Sequence, residues 1–155
     1  MIFTERNHLV KGLDPLADAF AGTVYSDIVT MKNHGHVTFI IHAGVGATGT
    51  STITVEACDD VSGSNVSAVP FHYREYTTGD TPGVLTAAAA AGFVTTAGSS
   101  KLIVLEVESS ALGASGYGYI RIKAVESVDS PVLGGILIIL SEPRYALNVQ
   151  ATAIV

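Results

Sequence analysis

Apolar side chains recur at every second position over much of the chain. In Thr52-Ile53-Thr54-Val55-Glu56-Ala57 the odd positions are apolar, and in Tyr119-Ile120-Arg121-Ile122-Lys123-Ala124 the even ones are. A period of two turns one side of each segment to a core and the other to water, so both read as half-buried β-strands. The same signal, rich in β-branched residues, predicts strands near residues 23–31, 36–43, 50–58, 66–77, 101–108, 117–127 and 134–141. Turn-forming clusters separate them, among them Asn33-His34-Gly35, Gly44 to Gly49, Ser62-Gly63-Ser64-Asn65 and Gly113 to Gly116. The run from Leu133 to Leu140 does not alternate, and it predicts a strand buried on both faces that stops at Ser141-Glu142-Pro143. A helix is expected only over residues 13–21, where Asp14 offers an N-cap, Pro15 suits the first turn and Gly22 ends the segment. Residues 79–100 read as a long excursion between strands, with at most one helical turn.

This pattern predicts an all-β protein: an antiparallel β-sandwich or jelly-roll-like single domain with one short N-terminal helix and extended terminal arms. The expected boundaries are an N-terminal arm over 1–12, the sandwich over 13–143 and a C-terminal arm over 144–155. At 155 residues the chain can bury a full core without a metal or disulfide.

Composition narrows the classes. Eight Lys and Arg against 14 Asp and Glu give a net charge of −6, and no cationic cluster stands ready for phosphates, so direct nucleic-acid binding is not expected. No apolar run approaches the ~18–20 residues of a membrane span, nor does the amino terminus read as a secretory signal. Charged residues make up 14% of the chain, against about 25% in an average globular domain. Such a surface is either rich in Ser, Thr and Gly or covered by other chains.

Candidate chemistry is sparse. Gly44-Val45-Gly46-Ala47-Thr48-Gly49 has the glycine spacing of a dinucleotide loop, but a strand follows it instead of the helix whose N–H groups would hold a pyrophosphate, so it reads as a hairpin connection. His34, His36 and His42 stand at even positions, where they form either a solvated or interface face or, with Asp59, Asp60 or His72, a metal site. The solvated face is the expectation, and no metal or other cofactor is assigned. Cys58 follows a strand and precedes two carboxylates, which raise a thiol pKa, so it reads as an inert small residue. Glu106 and Glu108 lie on the wet side of a strand whose other side is Ile103, Leu105 and Val107. No catalytic residue is assigned, and an enzyme is not expected.

From Tyr145 to the end of the chain the odd positions are apolar, without glycine or proline. Such a strand is an aggregation hazard unless it pairs with an edge, its own or a neighbour's. Arg144, Tyr145, Leu147 and Val149 are therefore candidate interface residues, together with Tyr117 and Tyr119, whose rings share a face. Arg144 has a local alternative, neutralising Glu142 or another carboxylate of its own subunit. Deleting residues 144–155 is expected to leave a folded domain that loses assembly.

Four segments carry a resemblance: Asp14-Pro15-Leu16-Ala17-Asp18-Ala19-Phe20, Thr48 to Ala57, Tyr119-Ile120-Arg121-Ile122-Lys123, and Leu137 to Tyr145 with its terminal Pro-Arg-Tyr. In these the chain resembles small virion structural proteins of tailed bacteriophages, in particular capsid decoration or cement proteins. The resemblance implies a noncatalytic subunit, made in the host cytoplasm, that binds the outer capsid shell and stabilises it. The implied partners are the major capsid protein and other copies of itself, as a dimer or trimer. A second reading is a carbohydrate- or receptor-binding module of a virion, using its tyrosines and the 79–100 excursion.

Overall fold

The computed structural model describes residues 2–77, 79–145 and 151–154. A single turn of helix, α1 (Phe3–Arg6), leads into β1 (His8–Leu16), β2 (Thr23–Tyr25), β3 (Val29–Thr30), β4 (His34–Ala43), β5 (Thr50–Cys58) and β6 (Val66–Val69). There follow β7 (Phe71–Tyr76), β8 (Thr86–Ala88), β9 (Phe93–Val94), β10 (Lys101–Glu108), α2 (Ser109–Gly113), β11 (Tyr119–Val128) and β12 (Gly134–Pro143). The strands form two antiparallel sheets. The first has the order β1-β12-β4-β10-β7-β8, and the second β2-β11-β5-β6, with β3 also on β11 and β9 also on β5.

If β2 and β3 count as one interrupted strand and the insertion β7 to β9 is set aside, the order along the chain is 1-8-3-6 in one sheet and 2-7-4-5 in the other. That is a jelly roll, in which the chain alternates between two facing sheets. The antiparallel β-sandwich expected from alternation is therefore the observed architecture. Its core lies between the sheets. Val37, Phe39 and Ile41, Ile103, Leu105 and Val107, and Ile136, Ile138 and Leu140 face inward from the first sheet, and Ile53, Val55, Ile120 and Ile122 from the second. Phe71, Tyr73 and Phe93 close one side, with the Tyr73 and Phe93 rings stacked at 3.7 Å between β7 and β9.

Five local expectations are corrected. The short N-terminal helix is α1, while residues 13–16, expected to begin a helix, complete β1 against β12. Asp14 and Pro15 sit on an edge strand, where a missing N–H is tolerated, and pairing with an apolar strand overrides local propensity. The amino-terminal segment, expected as an arm to residue 12, enters the sheet at His8. The strand expected over 66–77 is two strands in different sheets: β6 pairs with β5, β7 pairs with β10, and Pro70 between them cannot continue a ladder. The strand expected over 23–31 breaks after Tyr25, where the Ser26 hydroxyl accepts from Ile122 N in place of a backbone carbonyl. The excursion at 79–100 contributes β8 to one sheet and β9 to the other.

The run at 134–140 needs the correction that matters most for function. Ile136, Ile138 and Leu140 are buried, but Leu137 is 39% exposed and Ile139 only half-buried. On the second face of this strand Gly135 lies under Leu13 and Pro15, but Leu137 is left open.

Candidate functional site

The candidate sites are surfaces. At the end of the sandwich where β12 finishes, α1 packs against β1 and β12, and His8 lies opposite Leu140. This end exposes Ile2 (62%), Phe3 (55%) and Tyr145 (67%). Arg144 is exposed beside them; its backbone N–H donates to Asn33 O at 2.8 Å and its Nη2 to Ser109 Oγ at 3.5 Å. Among the described residues Arg144 joins no ion pair, so the local neutralisation of Glu142 does not occur there. Leu147 and Val149 lie outside the described residues. Further on, Ala153 is buried in the core and its carbonyl accepts from Thr30 N at 3.0 Å, so this part of the tail pairs with β3 of its own chain.

Tyr119 begins β11 of the other sheet, Tyr117 lies in the segment just before it, and neither joins this surface. The Tyr117 hydroxyl donates to Asn65 Oδ1 at 3.1 Å. Lys32 Nζ donates to the Tyr119 hydroxyl at 3.3 Å and lies 5.2 Å from its ring centre. Tyr25 is likewise covered by the Arg121 guanidinium at 4.1 Å. The chain's own cations occupy these rings, as expected for cation–π contacts on a wet sheet face.

The outer faces of the two sheets differ in kind. On the second sheet Thr52, Thr54, Arg121 and Lys123 point outward around Glu56, and Arg121 Nε donates to Glu56 Oε2 at 2.8 Å. On the first sheet the outward positions of the central strands include Leu137, Ile139, Ile40, Leu102 and Val104 beside His36, Thr38, His42, Glu106 and Glu108; Ile40 lies on the outer side as alternation predicts, whereas Leu137 and Ile139 belong to the run expected to be covered on both faces. A groove of about 370 Å³ runs over this face past Pro15, Ile40, Leu102, Leu133 and Leu137. A second concavity of about 380 Å³ lies at its other end, beside His36, His72, Glu106 and Glu108.

The three candidate histidines separate. His34 is buried and its ring lies 6.3 Å from that of His8, whereas His36 and His42 face outward. His36 Nδ1 is 3.2 Å from Ser141 Oγ, and its Nε2 is 4.0 Å from Glu108 Oε1. Among the described residues no three His, Cys, Asp or Glu side chains converge on a metal position. Glu106 and Glu108 are exposed on this face, as the alternation predicts.

The remaining polar groups have structural roles. Burial pushes the Cys58 thiol up to about 11, further than the neighbouring carboxylates alone would. Asp60 is held below its ordinary value by bonds from the Ser62 hydroxyl and N–H and from Gly63 N. Lys101 is buried at the far end of the core, where desolvation lowers its pKa and its amine donates to the Thr96 carbonyl. The cleft it lines, with Phe20, Ile53 and Val132, measures about 30 Å³, room for roughly one water. The Gly44 to Gly49 loop turns directly into β5, and its Gly49 passes so close to the Ser130 carbonyl that any Cβ would clash. Its glycines serve backbone packing. No described helix is long and apolar enough to cross a membrane.

No protein-family model matches the sequence, and no curated protein matches it. Among solved structures the chain is similar to the SPBc2 prophage-derived protein YomS, with a TM-score of 0.51 and 10% identity over 92% of this chain and 98% of that one. The infectious bursal disease virus Gx strain structure aligns at a TM-score of 0.25 and 9% identity, over 87% of this chain and 40% of that one. At 10% identity only the fold is shared with the prophage-derived protein, over nearly the full length of both chains.

Proposed function

We propose that this chain is a noncatalytic virion structural protein, a capsid decoration or cement subunit that binds the outer shell and stabilises it, with the major capsid protein as its partner. The observation that carries the reading is the apolar end of the sandwich, where Ile2, Phe3 and Tyr145 stand exposed beside Arg144. Aromatic side chains and arginine are the anchors that dominate protein interfaces, and here they stand where α1 and the end of β12 meet the jelly roll. Repeated over a lattice, modest contacts of this kind sum to a firm attachment. The fold is one that a prophage-derived protein also uses, and the low charge of the chain suits a subunit that spends its life against neighbours.

The test is co-sedimentation with shells assembled from the major capsid protein of its phage. The full chain should pellet with shells. Phe3→Asp and Tyr145→Ala, both at exposed positions that leave the core intact, should each weaken binding about tenfold, a loss of ~1.4 kcal/mol. A wild-type chain that stays in the supernatant overturns the proposal, as do variants that bind like wild type.

A further inference from the structure

Pairing register places six apolar side chains in one stripe across the outside of the first sheet. Leu9 lies opposite Ile139 on β1 and β12, Leu137 opposite Ile40 on β12 and β4, and Ile40 opposite Val104 on β4 and β10, with Leu102 one outward position further along β10. The stripe therefore crosses the strands obliquely, from Leu9 at one edge to Leu102. An antiparallel sheet whose outer side meets water carries polar residues there, as the second sheet does. Here Thr38 borders the stripe beside Ile139 and His42 borders it beside Leu102, and the charged residues stand on its flanks. Lys11 stands on one side of the stripe, next to Leu137, and Glu106 and Glu108 stand on the other. Lys11 pairs with Asp14 at 3.2 Å, but both side chains are highly exposed and such a pair holds weakly. Arg74, at the far edge, is engaged with the Gly83 carbonyl.

The geometry points to a second copy of this chain as the occupant of this face. A two-fold axis lying along the stripe lays the six apolar residues of one copy on those of the other and exchanges the flanks, so that the Lys11 side of each copy faces the side of its partner that carries Thr38, His36 and Glu106. An isologous contact requires this kind of self-complementarity. The extent also fits. Five strands about 4.8 Å apart and about 25 Å long present on the order of 600 Å² in projection, and side-chain relief brings that close to the ~800 Å² per partner of a stable interface. Two sheets packed in this way stand about 10 Å apart, as in the core of a sandwich. The surface is distinct from the Phe3 and Tyr145 end, so the inference does not depend on shell binding.

Sedimentation velocity of the full chain up to about 100 μM tests it. Wild type should dimerise. Leu137→Asp, at an exposed position, should weaken the dimer at least tenfold with an unchanged circular dichroism spectrum and melting temperature. Lys11→Glu and Glu106→Lys should each weaken it several-fold, while the double variant recovers toward wild type, because only residues that meet across two copies rescue one another. The inference is overturned if wild type is monomeric throughout, if Leu137→Asp associates like wild type, or if the double variant is no better than the singles. A monomeric wild type whose Leu137→Asp variant loses shell co-sedimentation would assign the face to the shell, refuting self-association while leaving the proposed function standing.

Discussion

Arg121 reaches from β11 to its register partner on β5 and sets both Nε and Nη2 2.8 Å from Oε2 of Glu56. Lys123 Nζ adds a weaker contact at 3.8 Å from Oε1, and the guanidinium also meets the Gly63 carbonyl at 3.4 Å. Gly63 has φ of 61°, and a Cβ there would strike Arg121. Glu56 is only 7% exposed although it lies on the outer side of its sheet, because these groups cover it.

Removing the cation leaves that covered carboxylate with one distant partner. Arg121→Ala should cost about 3 kcal/mol in urea unfolding, and Arg121→Lys should recover only part of it because an ammonium cannot reproduce the planar fork. Glu56→Gln, which keeps the shape and removes the charge, should cost less, about 1–2 kcal/mol. Equal stabilities for Arg121→Ala and wild type would show that the network only decorates the sheet.

Cys58 should resist alkylation in the native protein at pH 8 and react at the rate of a free thiol once the chain is unfolded, because the thiolate is the nucleophile and burial suppresses it. The pH dependence follows. With the folded pKa raised, the stability tied to the neutral thiol is fully present below the ordinary value of 9.0 and is lost as pH rises toward about 11. Denaturant melts of wild type and Cys58→Ala at pH 7 and pH 10.5 check this: the wild type should lose more on going to the higher pH than the variant does.

The tail offers a paired comparison. Ala153→Asp places a carboxylate in the core beside β3 and should cost about 2–4 kcal/mol, whereas Ile154→Asp, at a position 44% exposed, should be nearly neutral. The same geometry revises the expectation for a deletion of residues 144–155, which removes Ala153 from the core and so lowers stability along with any assembly. Thermal melts of the two point variants separate the effects.

Much of the strand layout was legible from alternation. Ile53, Val55, Ile120 and Ile122 point inward as the period of two requires, because side-chain direction in a strand is a local consequence of backbone geometry. Partner choice was not legible. The helical look of residues 13–21 is outweighed by the apolar β12 beside it, and Pro70 marks a crossing between sheets that reads along the chain as one long strand. The interface candidates show the same division: Tyr117 and Tyr119 share a sequence pattern with solvent-facing anchors, but Asn65 and Lys32, remote in the chain, engage them.

By itself the sequence determined that this is an all-β chain, which residues of each strand share a side, and that little charge is available to cover its surface. Only the tertiary structure decided which side of β12 would be left open at Leu137, that the first sheet carries an apolar stripe outward, and that Ile2, Phe3 and Tyr145 stand exposed at the same end. The reason is physical: alternation is set by neighbours two residues apart, whereas burial depends on which distant strands come to lie alongside, and on whether any part of the chain remains to cover them.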